Sequence, residues 1–278
     1  MTSKRPFFAL FCRFAAGACA TALLAAGSQA GAAAAIMPHL AVYKLSLGKT
    51  RGTGGVTHAS GRIEFKWSEG CDGWTVSQRT HLVLTSAQGL DFESGWVLNA
   101  WESKDGLSYR FSVQRAHGDA APEEVRGKAQ LQALGQGGVV TYSKPEKSSL
   151  SLPSGTLFPT RYSEELIDAA SRSDLLFWRQ VFDGSAEDGL FGVNATLSRS
   201  LPADAAPSFD SPLIQGVESW RMHLAYFGRG QQQAEPDHEQ GQRVYANGVV
   251  DELEFDYNDF AIKGALERLE ALPAPDCR

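Results

Sequence analysis

Arg62-Ile63-Glu64-Phe65-Lys66-Trp67 alternates charge with apolar bulk without a break. Side chains on an extended strand point to opposite faces in turn, so Ile63, Phe65 and Trp67 share one face and the three charges the other. This stretch is predicted to be a strand with one buried face. The same period runs along the chain. Trp74, Val76, Leu82 and Leu84 oppose Thr75, Ser77, Arg79 and His81. Leu107, Tyr109, Phe111 and Val113 oppose Ser108, Arg110, Ser112 and Gln114. Phe191, Val193, Ala195 and Leu197 repeat the pattern, as do Trp220, Met222, Leu224 and Tyr226 against Ser219, Arg221 and His223. Val249, Asp251, Leu253, Phe255 and Tyr257 are placed opposite Val250, Glu252, Glu254 and Asp256.

Turn chemistry separates these runs. Gly52-Thr53-Gly54-Gly55, Asp105-Gly106, Gly135 to Gly138, Asp183-Gly184, Asp188-Gly189 and Asn247-Gly248 all suit tight reversals. Asn247-Gly248 lies between two alternating runs and gives the strongest hairpin signal. One segment breaks the period. Tyr162, Leu166, Ile167 and Ala170 form a helical stripe, which predicts a helix over 161–171. Thr160 is expected to cap it, and Glu164 and Glu165 suit its N-terminus. Residues 260–272 read equally as strand or short helix. Residues 201–212 and 229–241 read as loops, and no internal repeat recurs.

Many antiparallel strands, one helix and one core predict a mainly β fold: a single strongly bent antiparallel sheet. A sheet this large must curl or close to protect its edges. Curling creates a concavity in which a ligand or peptide could lie.

The N-terminus reads as a secretory signal over residues 1–30, leaving 31–278 as a single domain. Lys4, Arg5 and Arg13 provide the positive start, Phe14 to Ala26 the apolar stretch, and Ser28-Gln29-Ala30 the small residues of a cleavage site. A membrane anchor is the alternative, but the apolar run is short for a bilayer. Cys19 lies inside that run, which does not suit a lipoprotein. The chain has 26 basic and 32 acidic residues; losing the three basic ones of the leader gives 23 − 32 = −9. Such a charge argues against nucleic acid as partner. No later apolar run is long enough for a membrane-spanning helix. A periplasmic location follows.

Two of the four cysteines leave with the leader, and Cys71 and Cys277 remain. An even pair in an oxidising compartment implies a disulfide; free thiols or intermolecular bridges are the alternatives. Such a bridge would span most of the mature chain and be worth roughly 5 kcal/mol by chain entropy.

Motifs for chemistry fail. Gly48-Lys49-Thr50 ends like a phosphate loop, but Tyr43 stands where its first glycine belongs. Gly52-Thr53-Gly54 begins like a dinucleotide fingerprint, but Thr57 occupies the third glycine position. There is no Gly-x-Ser-x-Gly elbow and no His-Glu-x-x-His. The six histidines are not spaced as paired helical zinc ligands. The acidic run Asp251, Glu252, Glu254, Asp256, Asp259 lacks the EF-hand spacing and reads as a solvated strand face. Neither metal nor cofactor is expected, and no enzyme activity. Two strands share an Arg-x-His unit, Arg79-His81 and Arg221-His223. If their face lined the concavity they could bind an anionic headgroup or carboxylate; if it faced outwards they would be surface residues.

Several blocks carry a family resemblance. They are His39 to Leu45; Cys71-Asp72-Gly73-Trp74 followed by Arg79; Leu157-Phe158-Pro159-Thr160; Val181-Phe182-Asp183-Gly184; and Tyr245-Ala246-Asn247-Gly248 through Asp256-Tyr257 and Phe260 to Leu269-Glu270-Ala271-Leu272-Pro273 and Cys277. Together they resemble the envelope integrity protein B family of periplasmic proteins, over essentially all of the mature chain. The resemblance implies a β-spiral, open and barrel-like, bent around a helix and similar to lipoprotein carriers of the envelope. It implies a disulfide between Cys71 and Cys277 and a role in envelope integrity without a defining catalytic activity. The family often has a histidine two residues after the Phe-Pro-Thr block, where Tyr162 stands here. The expected function is therefore binding or scaffolding in the periplasm, with an envelope lipid, lipoprotein or protein as partner. The other readings are an envelope hydrolase and an outer-membrane β-barrel. The chain ends Asp276-Cys277-Arg278, without the terminal aromatic strand usual in such barrels.

Overall fold

The computed structural model describes residues 35–51, 55–118, 120–185, 188–202, 205–228 and 235–277. The leader expected over 1–30 lies outside them, as do Gly52-Thr53-Gly54 and 229–234 of the second expected loop. The described residues belong to one compact unit.

Eight strands come first: β1 (His39–Thr50), β2 (Val56–Glu69), β3 (Gly73–Ser86), β4 (Asp91–Ser103), β5 (Ser108–His117), β6 (Glu123–Leu131), β7 (Gly138–Lys144) and β8 (Ser148–Leu152). The two-residue β9 (Thr156–Leu157) and the helix α1 (Pro159–Ser171) follow. Then come β10 (Leu176–Phe182), β11 (Leu190–Leu197), β12 (Ser219–Gly228), β13 (His238–Tyr245), β14 (Val250–Asp256) and β15 (Phe260–Ala271). All join one sheet in the order β8-β7-β6-β5-β4-β3-β2-β1-β15-β14-β13-β12-β11-β10-β9. Two meanders are thus stitched together where β1 pairs with β15. The outermost strands of the order, β8 and β9, are neighbours in the chain, so the sheet curls into a nearly closed, barrel-like wall. One pair is parallel, β9 with β10. The reason is the intervening helix, which returns the chain in its original direction, as a parallel crossover requires.

The decisive stretch lies in β2, with Ile63 and Trp67 buried on the inner face and paired with Tyr43 and His39 of β1. Of residues 260–272, which read as strand or short helix, 260–271 resolve as strand. The expected loop over 229–241 is corrected at its end, where β13 starts at His238. Its inward side chains include Gln240 and Gln242, which line a cavity rather than the core, so hydrophobic alternation is missing. The expected faces of β14 also need correction. Val244 pairs with Val250 and Arg243 with Glu252, leaving Asp251 as the extra residue of a bulge. Val250 thereby joins Leu253 and Phe255 on the inner wall, and Asp251 leaves it. Asp251 is fully buried instead, accepting the Tyr245 hydroxyl (2.8 Å) and the Ser208 N–H (2.8 Å). At the β13–β14 turn, Gly248 has φ +83°, and a side chain there would meet Ile36 at 2.8 Å.

The helix packs inside the wall. Tyr162, Leu166, Ile167 and Ala170 form the expected stripe and cluster with Trp67, Trp74, Trp220 and Val244. Its cap differs from expectation. Thr160 lies within the first turn and caps nothing. Glu102, from β4, accepts the N–H groups of Thr160 (2.7 Å) and Arg161 (2.9 Å). Glu164 and Glu165 sit past the first turn and pair with Arg161 (3.5 and 3.2 Å).

Candidate functional site

The strands alternate in direction, so the turns at 87–90, 118–122, 183–189 and 257–259 share one end of the wall. Trp67, Trp74, Trp220 and Val244 lie toward the opposite end and pack with α1. The helix therefore stops one end, and a cavity of about 530 Å³ extends from it towards the other. Ser163, Leu166 and Ile167 of the helix form its floor. Tyr43, Ile63, Phe65, Trp67, Val244, Val250, Leu253 and Phe255 make an apolar wall. A second cavity of about 230 Å³ lies beside it and shares Phe65, Trp67, Gln78, Trp96, Asp183 and Ser185. Such a volume and lining fit a small molecule or one apolar chain.

Polar groups gather towards the turn end. Asp183 is fixed by its turn: its Oδ1 accepts the Ser185 N–H (2.7 Å), and its carbonyl accepts the Tyr109 hydroxyl (2.9 Å). Gly184 in that turn has φ +67°, and a side chain would meet the Phe111 ring at 2.5 Å. Burial pushes the Asp183 carboxyl above its ordinary pKa, while the Ser185 N–H and the Arg115 charge pull it back. Arg115, near the end of β5, donates to the Ser185 carbonyl. His238 stacks on Tyr226 with ring centres 4.4 Å apart, and burial lowers its pKa. At the helix end, His39 donates from Nδ1 to the Met37 carbonyl (2.7 Å); burial lowers its pKa too. Several cavity-lining polar groups, His39, Tyr43, Arg115, Ser163 and Asp183 among them, are thus anchored by backbone partners.

The Arg-x-His units stand elsewhere. On β3 the inward side chains include Trp74, Val76 and Gln78, which puts Arg79 and His81 on the outer face. His81 is 54% exposed and lies 2.7 Å from Glu93. On β12 Met222 and Leu224 face the core, so Arg221 and His223 also point out. Arg221 pairs with Glu252 (3.2 Å) and His223 lies 4.0 Å from Glu239. The structure brings neither unit to the cavity. The acidic run is dispersed: Asp251 is buried, Glu252 meets Arg221, and Asp256 pairs with Arg51 (2.7 Å). Tyr162 is buried against Phe177, 5.9 Å between ring centres. Cys71 and Cys277 are joined, tying the β2–β3 turn to the segment after β15.

Sequence reasoning missed Arg115, Asp183, Trp96 and Gln78. A signal existed for two of them. Arg115 continues the inward parity of Tyr109, Phe111 and Val113, and Gln78 that of Trp74 and Val76. A polar side chain on an apolar parity marks a wetted inner wall.

A family model described as EipB-like matches residues 30–273. The cell envelope integrity protein EipB of Brucella abortus (strain 2308) is 30% identical over 272 residues, 94% of this chain and 95% of that protein. The crystal structure of a β-barrel-like protein of a domain of unknown function, also from Brucella abortus, superposes with a TM-score of 0.78 at 26% identity, covering 87% of this chain and all of the other. With a family match that spans the whole described sheet and a relative 30% identical over 94% of the chain's length, this chain belongs to the EipB-like family.

Proposed function

We propose that this protein helps maintain cell-envelope integrity from the periplasm, as a non-catalytic binding or scaffold protein exported through its 1–30 leader. Its cavity receives the apolar part of a lipid, lipoprotein or peptide. The observation that carries this reading is the 530 Å³ space between α1 and an aromatic-rich wall. Apolar surface left uncovered there is stabilised by a ligand that covers it, at about 25 cal/mol per Å². The name of the Brucella relative supports the envelope role. The direction of the side chains speaks against a membrane-spanning barrel: such a barrel needs an apolar outer band. Here Arg79, His81, Arg221 and His223 point out, while the aromatic rings and the helix fill the inside. Among the described residues no helix is long and apolar enough to cross a membrane.

Native mass spectrometry of protein purified from periplasm tests this. The expected spectrum contains a ligand-bound species whose extract holds an acyl chain or an apolar peptide. Arg79→Ala with Arg221→Ala is expected to retain the same ligand, because both side chains stand outside. Protein recovered only in the empty mass would remove the binding reading.

A further inference from the structure

The polar end of the cavity carries two opposite charges that do not pair with each other. Asp183 and Arg115 both line it and both are anchored to one residue, Ser185: the carboxylate through its N–H, the guanidinium through its carbonyl. Their charges are close enough for Arg115 to lower the Asp183 pKa. They nonetheless form no ion pair with each other among the described residues. The other guanidinium donors of Arg115 have no acceptor there either. Trp96 stands directly across from Arg115 in the β4–β5 pairing and lines the same cavity. Its indole N–H is buried and has no acceptor among the described residues. A buried donor such as the Trp96 N–H is costly unless something accepts from it.

We propose that this end of the cavity holds an ammonium–phosphodiester zwitterion, the headgroup chemistry of a phosphoethanolamine lipid. Arg115 and Trp96 donate to the phosphate oxygens, since a guanidinium fork suits phosphate. Asp183 accepts from the ammonium. The acyl chain runs past Phe65 and Leu253 to the helix floor. A purely anionic headgroup would leave Asp183 facing like charge, and an uncharged one would leave both charges without a counter-charge. The inference deepens the cavity reading and rests on it.

Competition against a fluorescent fatty-acid probe bound to the full mature protein tests both and keeps them apart. The competitors are lysophosphatidylethanolamine, lysophosphatidylglycerol, a monoacylglycerol with the same chain, and free phosphoethanolamine. The expected order places lysophosphatidylethanolamine tightest, by roughly tenfold over lysophosphatidylglycerol, the ratio one charge-assisted hydrogen bond provides. Asp183→Asn is expected to erase that preference. Arg115→Gln is expected to weaken both phospholipids about tenfold. Far-UV circular dichroism and the urea midpoint of both variants, compared with wild type, report an intact fold. Free phosphoethanolamine is expected not to displace the probe; displacement by it at the affinity of the lipid would mean a headgroup site without a chain site and would overturn the proposal. Equal displacement by all three acyl competitors would overturn the zwitterion while leaving the cavity reading. No displacement by any of them would remove both.

Discussion

Replacing Cys71 by serine is expected to lower the stability of the oxidised protein by about 5 kcal/mol. The bridge to Cys277 closes a sequence separation of 206, and the entropy removed from the unfolded chain grows with the logarithm of that length. The architecture adds a second reason. Cys71 lies between β2 and β3, and Cys277 follows β15, which pairs with β1. The bond therefore fastens the junction of the two meanders, where β15, β1, β2 and β3 lie side by side. A whole domain is commonly stable by only 5–15 kcal/mol, so the variant should unfold at markedly lower urea concentration. Urea titration of the two proteins, without reductant, measures this; coincident midpoints would refute the stabilising role.

The second large effect is expected at Glu102. The residue is 3% exposed, and its carboxylate accepts two N–H groups of the α1 first turn, whose N-cap residue Phe158 makes no side-chain cap. Glu102→Ala leaves both donors buried without acceptors, at a cost of about 2–4 kcal/mol. The helix it holds is the floor of the cavity, so ligand retention should fall with it. The residue also titrates unusually. Burial raises its pKa to about 7, against the lowering influence of the Arg161 and Thr160 N–H groups. A carboxyl whose pKa is higher folded than unfolded binds its proton more tightly in the native state. Its contribution is fully present below the ordinary value of 4.5, declines as pH rises towards about 7, and is lost above that. The expected decline is about 3 kcal/mol across that window, from the pKa difference. Glu102→Gln cannot titrate and should show a flatter stability–pH curve. Identical slopes for wild type and Glu102→Gln would place the titration elsewhere.

How much of this was readable in the sequence follows from the range of each interaction. Ile63, Phe65 and Trp67 declare their strand locally, because parity along a strand is a nearest-neighbour property. The stripe of α1 is equally local. The Glu102 cap is not: Thr160 offers a cap at the right place in sequence, yet the carboxylate that takes the role comes from β4, 58 residues earlier. The bulge at Asp251 was hidden for a similar reason. Simple alternation puts Asp251 beside Leu253, and only the pairing with β13 shows an extra residue there. The Arg-x-His units were visible as polar faces, but a strand does not declare which side is concave. Gln78 answers that question once the wall is closed. Asp183 gave no signal beyond its turn, since Asp-Gly is ordinary turn chemistry.

The space between α1 and the wall is expected to accept an apolar chain. Titrating protein that lacks residues 1–30 with a fatty acid brominated in mid-chain, while following tryptophan fluorescence, measures this. Trp67 and Trp96 line the space, so the expected result is saturable quenching at one chain per protein, reduced when both are changed to phenylalanine. Quenching that stays linear in lipid, or is unchanged by those two substitutions, would mean that no chain enters this space.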